Sequence, residues 1–146
     1  MDIIEMKAEH VQDIARLETL CFSDPWSANS IASELNNRFS YWLVAFEDGI
    51  LVGYVGSQSV LDSADMMNLA VHPDFRKRGI GEKLVKTLCG ALLQRDVRFL
   101  LLEVRVSNEP AISLYAKLGF VQVGLRRNYY HHPKEDALIL RKELDA

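Results

Sequence analysis

Residues Asn68–Leu84 read NLAVHPDFRKRGIGEKL. An apolar strand runs into a basic turn, and the turn runs into a helix start that carries two glycines. The turn has the form Arg76-x-x-Gly79-x-Gly81. A glycine lacks a Cβ, so a phosphate can approach its main chain closely. The helix that opens here adds free amides and a partial positive charge. Arg76, Lys77 and Arg78 add formal charge. It is not a Walker loop, because no Gly-Lys-Ser or Gly-Lys-Thr is present. It is not a dinucleotide fingerprint, because the third glycine is missing and no first βαβ strand precedes it. Two readings of the turn remain: a cradle for a phosphate-bearing cofactor, or a basic turn that caps a surface helix. The flanking segments separate them.

The chain has 146 residues, which suits one domain, 1–146, with a sizeable core. About half of it is hydrophobic and a quarter charged, an ordinary balance for a soluble protein. A net charge of -3 argues against general nucleic-acid binding. The opening residues MDIIEMKAEH carry acids and do not resemble a secretory leader, and no apolar run is long enough to span a bilayer. Cys21 and Cys89 sit far apart in helix-like segments, so reduced thiols in a cytoplasmic protein are expected. The four histidines show no metal-ligand spacing, and no metal is expected. His131-His132 reads as loop surface. A monomer is the default expectation.

Hydrophobic periodicity orders the rest. Residues 2–7 alternate as a strand. Residues 8–22 have a helical period through Val11, Ile14, Ala15 and Leu17. Ser27 is placed to cap a second helix reaching about Asn37. Strands over 41–46 and 50–61 flank a Glu47-Asp48-Gly49 hairpin signal. A strand over 65–72 leads into the glycine turn. The helix over 79–94 turns Ile80, Leu84, Val85, Leu88 and Leu92 inward. A strand over 98–106 precedes a short helix over 109–118, with Asn108 as cap and Gly119 as stop. Strands over 120–127 and 136–141 close the chain. The order β-α-α-β-β-β-α-β-α-β-β predicts an α/β (α+β) fold: a central mixed sheet with helices on both faces.

The strand FLLLEVRV holds one acid, Glu103, on the face shared with Leu101 and Arg105. An acid in so apolar a run is paired or functional. Two readings stand: an ion pair with Arg105, or a general base that takes a proton from an amine, directly or through water. Tyr115 lies on the inner face of the following helix with Ile112 and Leu118, where a core aromatic with a hydroxyl satisfied at the edge is the plain reading.

The turn Arg76-x-x-Gly79-x-Gly81 and the segment N-x-x-A-x-x-L-Y-x-x-x-G-F resemble the acetyl-CoA-binding and catalytic motifs of the GNAT N-acetyltransferase family. The element order is also that of the GNAT acyl-CoA N-acyltransferase fold, a mixed but mostly antiparallel sheet. The segments FSDPWS, MNLAVHP, RKRGIG, LLEVRVSN, LYAKLGF and RRNYY resemble the branch that acetylates the N-terminal alanine of a small-subunit ribosomal protein. The resemblance implies acetyl-CoA as co-substrate, a ribosomal protein N-terminus as acceptor, and no metal, nucleic acid or membrane. It implies Glu103 as base and Tyr115 as acid for the departing thiolate. It implies cofactor contacts from Leu69, Ala70, Val71, Arg76, Lys77, Arg78, Gly79, Ile80, Gly81, Glu82, Asn108 and Tyr115. It implies an acceptor groove built from Phe22, Trp26, Asn68, Glu103, Arg127, Tyr129 and Tyr130, although ordinary packing also accounts for Trp26, Tyr129 and Tyr130. Two other functions compete: a GNAT enzyme for lysine or a small amine, and an acyl-CoA-binding module without catalysis.

Overall fold

The computed structural model describes residues 1–145. Its elements are β1 (Asp2–Glu5), α1 (Val11–Cys21), α2 (Ala28–Glu34), β2 (Ser40–Glu47), β3 (Ile50–Val60), β4 (Ser63–Val71), α3 (Ile80–Gln94), β5 (Phe99–Arg105), α4 (Glu109–Lys117), β6 (Val121–His131) and β7 (Lys134–Glu143). The strands form one sheet in the order β1-β2-β3-β4-β5-β7-β6. Every neighbouring pair is antiparallel except β4 with β5. This is the mixed sheet expected from the element order, mostly antiparallel as the family resemblance implies.

Helices cover both faces because both faces are apolar. On one side Ile14, Leu17 and Ile31 of α1 and α2 pack on Val44 and Tyr54. On the other, Ile80, Leu84, Val85, Leu88 and Leu92 of α3 meet Leu100, Leu102 and Val104, and α4 adds Tyr115. Burying each such side chain stabilises the fold by about 1.5–3 kcal/mol. Local signals set the helix ends. The Ser27 hydroxyl accepts from the Ser30 amide at 3.1 Å to start α2. Asn108 Oδ1 accepts from the Ala111 amide at 3.3 Å to start α4, and Pro110 sits harmlessly in its first turn.

Two features of β4 position the site. First, its register with β3 slips, with Ser57 opposite Met66 and Gly56 opposite Asn68, so Met67 is an extra residue that bends the strand. Second, β4 pairs with β5 only at Ser63↔Phe99, Ala64↔Leu100 and Asp65↔Leu101. Both strands continue beyond that point, β4 to Val71 and β5 to Arg105. The sheet therefore forks at its parallel pair, and main-chain groups along the fork lack a neighbouring strand.

The last hairpin runs further than the sequence periodicity implies. The strands expected over 120–127 and 136–141 extend to His131 and start at Lys134. The register of β6 breaks between Arg126 and Tyr130, where Asn128 has φ of 53° and its amide donates to Asp136 Oδ1 at 2.8 Å. This bulge, together with exposure on both faces, erases the alternation that marks a strand. The first helix also differs from expectation, since residues 8–10 form a 3-10 turn before α1 begins.

Candidate active site

At one end of the fork, the chain leaves β4 and enters α3 through the glycine turn. Lys77 and Gly79 both take positive φ, 64° and 79°. Gly79 is the left-handed residue at the helix start, where a side chain is disfavoured. The first-turn amides of Ile80, Gly81 and Glu82 have no partner one turn earlier. They open onto a cleft of about 280 Å³ lined by Val71, Phe75, Arg76, Lys77, Gly79, Ile80, Gly81, Glu82, Pro110 and Leu114. A Cβ built on Gly81 meets Leu114 and Val71 at 3.7 Å, so a side chain there would point into the space between β4 and α4. A carrier with a pyrophosphate and a slender apolar arm fits this cradle: free amides and positive charge for the phosphates, Val71 and Leu114 for the arm.

The expected cofactor residues do not all face the cleft. The His72 amide donates to the Val52 carbonyl at 2.7 Å. Hydrogen-bonded pairs alternate along an antiparallel ladder, so the Ala70 amide, opposite Tyr54, is committed to β3. The Ala70 side chain lies in the core on the far face. Leu69 and Val71 point their main chain into the fork, though the Leu69 amide already meets Asn68 Oδ1 at 3.2 Å. Arg76 folds back, with Nε donating to the Val71 carbonyl at 3.2 Å. Arg78 lies 4.9 Å over the Phe75 ring, outside the cleft lining. Glu82 is tied to Lys117 and Lys86 at 3.2 and 3.5 Å. Asn108 uses its carbonyl oxygen to cap α4. Phe75, Pro110 and Leu114 were not singled out from sequence, because an apolar residue at a helix end has the same signature whether it lines core or cleft.

At the crotch of the fork sits Glu103. The ion pair with Arg105, one of the two readings made of it, does not form. Same-face neighbours on one strand stand about 6.6 Å apart and point in parallel. Arg105 instead meets Glu135 at 3.2 Å, donates to the carbonyls of Pro133 and His132, and lies 4.2 Å over the Tyr130 ring. Glu103 Oε1 contacts Arg126 Nε at 3.3 Å. Its Oε2 is buried and has no hydrogen-bond partner among the described residues. Tyr129, exposed, and Tyr130, half-buried, follow the β6 bulge and stand edge to face at 5.1 Å. The Tyr129 hydroxyl is raised above the ordinary phenol range, first by its approach to the Glu103 carboxylate and then by burial. That approach stops short of a formed hydrogen bond. Tyr130 is pushed up to about 12, mainly by burial and then by Glu103. Burial, followed by the nearby Glu103 charge, also raises Asp65. The sequence reading pointed to Arg127 here. That residue is exposed, and Arg126 is the one that reaches the acid.

Tyr115 is packed as the plain reading of it has it. Its ring is core, 6% exposed and edge-on to Phe120 at 5.4 Å. Its hydroxyl points across the fork and donates weakly to Met66 Sδ at 3.9 Å. Burial, then Tyr130, raises it well above the phenol range, so it keeps its proton at neutral pH.

Two walls rise over Glu103. One is the β6–β7 hairpin. The other is the α1–α2 loop, Phe22–Ser27, where Trp26 packs edge-on to Trp42 at 5.4 Å. The walls touch where the Ser23 hydroxyl donates to the His132 carbonyl at 3.0 Å. His132 thus lies at the surface, as expected, while His131 belongs to β6. Asn68, expected to contact acceptor, spends its amide group on Glu18 at 2.9 Å.

A gap in a sheet with an anion cradle at one end and an unpartnered acid under aromatic cover at the other brings a carrier and a nucleophile together from opposite sides. That is the layout of an acyl-CoA-type acyltransferase. The chain belongs to the acetyltransferase (GNAT) family, whose sequence profile matches residues 11–120. It is 40% identical over 136 residues to a Bacillus subtilis protein provisionally named [ribosomal protein bS18]-alanine N-acetyltransferase, covering 92% of this chain and 90% of that one. It is 38% identical over 126 residues to the [ribosomal protein bS18]-alanine N-acetyltransferase of Escherichia coli K12, covering 85% and 84%. The crystal structure of the ribosomal-protein-S18-alanine N-acetyltransferase from Escherichia coli superposes with a TM-score of 0.92 at 33% identity, covering 99% of this chain and 94% of that one.

Proposed function

We propose that this chain acetylates the N-terminal alanine of ribosomal protein bS18, the acceptor for which its relatives are named, by direct transfer from acetyl-CoA in the cytoplasm. Acetyl-CoA supplies the activated thioester. The first-turn amides of α3, with Lys77, hold its phosphates, and the fork-facing main chain of Leu69 and Val71 aligns its arm. Glu103 takes the proton of the acceptor amine at Oε2. Tyr115 gives its proton to the departing sulfur. A thiol of pKa about 8.5 leaves readily, so that help is modest.

The observation that carries this reading is Glu103 Oε2, buried and without a hydrogen-bond partner among the described residues. A single carboxylate suits an α-amine. Such an amine has a pKa of about 7.7–8.0 against about 10.4 for lysine, a gap of about 3.4 kcal/mol in the cost of deprotonation. Neither cysteine sits at Glu103, and burial raises both thiols, which favours direct attack over an acetyl-cysteine route.

The test uses two peptides with the bS18 N-terminal sequence, one with a free α-amine and one with that amine blocked and a lysine added. Mass spectrometry locates the acetyl group after incubation with acetyl-CoA. Modification of the free α-amine alone supports the proposal. Modification of lysine, or of neither peptide, overturns it.

A further inference from the structure

Glu18 is a carboxylate in the last turn of α1 that is fully buried, at 0% exposure. Among the described residues no lysine, arginine or histidine pairs with it. Three donors from three different places satisfy it instead. The main-chain amide of Trp26, in the α1–α2 wall, donates to Oε1 at 2.8 Å. The Tyr54 hydroxyl, from β3, donates to Oε2. Asn68 Nδ2, from the fork side of β4, donates to Oε2 at 2.9 Å. The same Asn68, one residue beyond the Met67 bulge, turns its oxygen to the Leu69 amide.

A carboxylate offers only acceptors, so it alone among side chains of this size takes all three donors. Burying one without a cation is costly, and an apolar residue would hold α1 to the sheet at less cost. Burial also raises the Glu18 carboxyl above its ordinary value, even though its bonds from Tyr54 and Trp26 oppose the rise. The acid does not touch the fork itself, but its partners lie on both sides of the acceptor path. Trp26 belongs to the wall, and Asn68 to the strand that carries the fork-facing main chain. The wall is also tied at its outer rim by the exposed Ser23–His132 hydrogen bond. Trp26 further leans on Trp42, which stacks on the ring of Tyr54 at 5.3 Å, so the hub and the wall share one aromatic column.

We infer that Glu18 is a positioning residue for acceptor binding: its carboxylate fixes the Phe22–Trp26 wall and the Asn68–Leu69 segment of β4 in one mutual geometry. This inference rests on the acetyl-transfer reading above. Glu18→Gln tests it, because the amide must turn an N–H2 toward a donor and lose at least one of the three bonds. Acceptor KM is expected to rise about tenfold. The acetyl-CoA Kd, measured by titration calorimetry without acceptor, is expected to stay within about twofold, because the glycine turn is untouched. Hydrogen exchange of the Trp26 amide is expected to accelerate while the β2–β3 amides stay protected. Asn68→Ala, which spares the Trp26 bond, is expected to lower kcat and leave acceptor KM unchanged. An acceptor KM like that of the wild type in Glu18→Gln, equal losses of acceptor and acetyl-CoA affinity, or unaltered Trp26 exchange overturns the inference. If the glutamine variant loses its fold, Asn68→Ala decides, and an unchanged kcat there overturns it. Failure of the acetyl-transfer reading looks different: the wild-type protein then modifies no peptide, while Trp26 exchange still reports whether Glu18 holds the wall.

Discussion

Glu103→Gln separates the chemistry of the site from its architecture. The substitution keeps the size and shape of the side chain. The glutamine oxygen can still meet Arg126 Nε, now 3.3 Å from Oε1, and its amino group replaces Oε2, which has no partner to lose. What disappears is one charge facing an arginine side chain that is 54% exposed, worth about 0–1 kcal/mol. The melting temperature should therefore fall by no more than about 2–4 °C. Loss of a general base costs about 10²–10⁴ in turnover, equivalent to about 2.7–5.5 kcal/mol. The acetyl-CoA Kd should not move, since Glu103 does not line the cleft at the glycine turn. Below the amine pKa the enzyme must remove a proton. Above about pH 8 the acceptor amine arrives neutral, so the deficit should shrink as pH rises. Steady-state kinetics on the bS18 peptide from pH 6 to 10, with calorimetric titration and thermal melting, measure all three. A variant with unchanged turnover across that range, or one whose loss tracks a loss of acetyl-CoA affinity, refutes Glu103 as the base.

Tyr115→Phe should lower kcat about tenfold, less than usual for an acid catalyst because a thiolate leaves readily, and a stopped assay on the same peptide reads it. Its melting temperature should barely change, since the hydroxyl has only the long contact to Met66 Sδ. Gly81→Val should fold, because a Cβ there meets Leu114 and Val71 at ordinary distance, yet weaken acetyl-CoA at least about tenfold on titration. Glu135 is held below the ordinary carboxylate range, first by its bonds from Ser107 and then by Arg105. A depressed carboxyl contributes stability that is present above its unfolded pKa and lost as pH falls through its folded one. Melting curves from pH 6 to 3 should show that loss, and Glu135→Gln should flatten the slope.

The architecture was legible where physical cause is local. Ser27 and Asn108 cap helices, and Asp48-Gly49 turns a hairpin, for reasons contained within a few residues. Five inward positions of α3 follow from its period alone. The glycine turn and the acid in an apolar strand were visible because each breaks a pattern. The details that sequence leaves open depend on what lies across space. Arg105 pairs with Glu135 from the last hairpin, 30 positions away in sequence, and no strand period encodes that. Arg126 and Arg127 are adjacent and both exposed, and only the fold shows that Arg126 is the one that reaches Glu103. Ala70 was counted among the cofactor contacts, and only the ladder with β3 reveals that its amide is spent. Glu18 sits in a helix with an ordinary amphipathic pattern, and its role appears only once three distant donors converge.

The fork between β4 and β5 divides the molecule's two recognition tasks into two kinds of code. Under the proposed function, the donor would be met largely by main-chain groups and by the absence of a side chain at Gly81, features that most substitutions leave intact. The acceptor would be met by Trp26, Arg126, Tyr129 and Tyr130, on a loop and a bulged hairpin. Changes of acceptor can therefore accumulate in side chains without renegotiating the donor. A mutational scan should show this as two zones: around the glycine turn, tolerance for any residue that keeps the backbone path, and along the two walls, sharp shifts in which peptide is chosen.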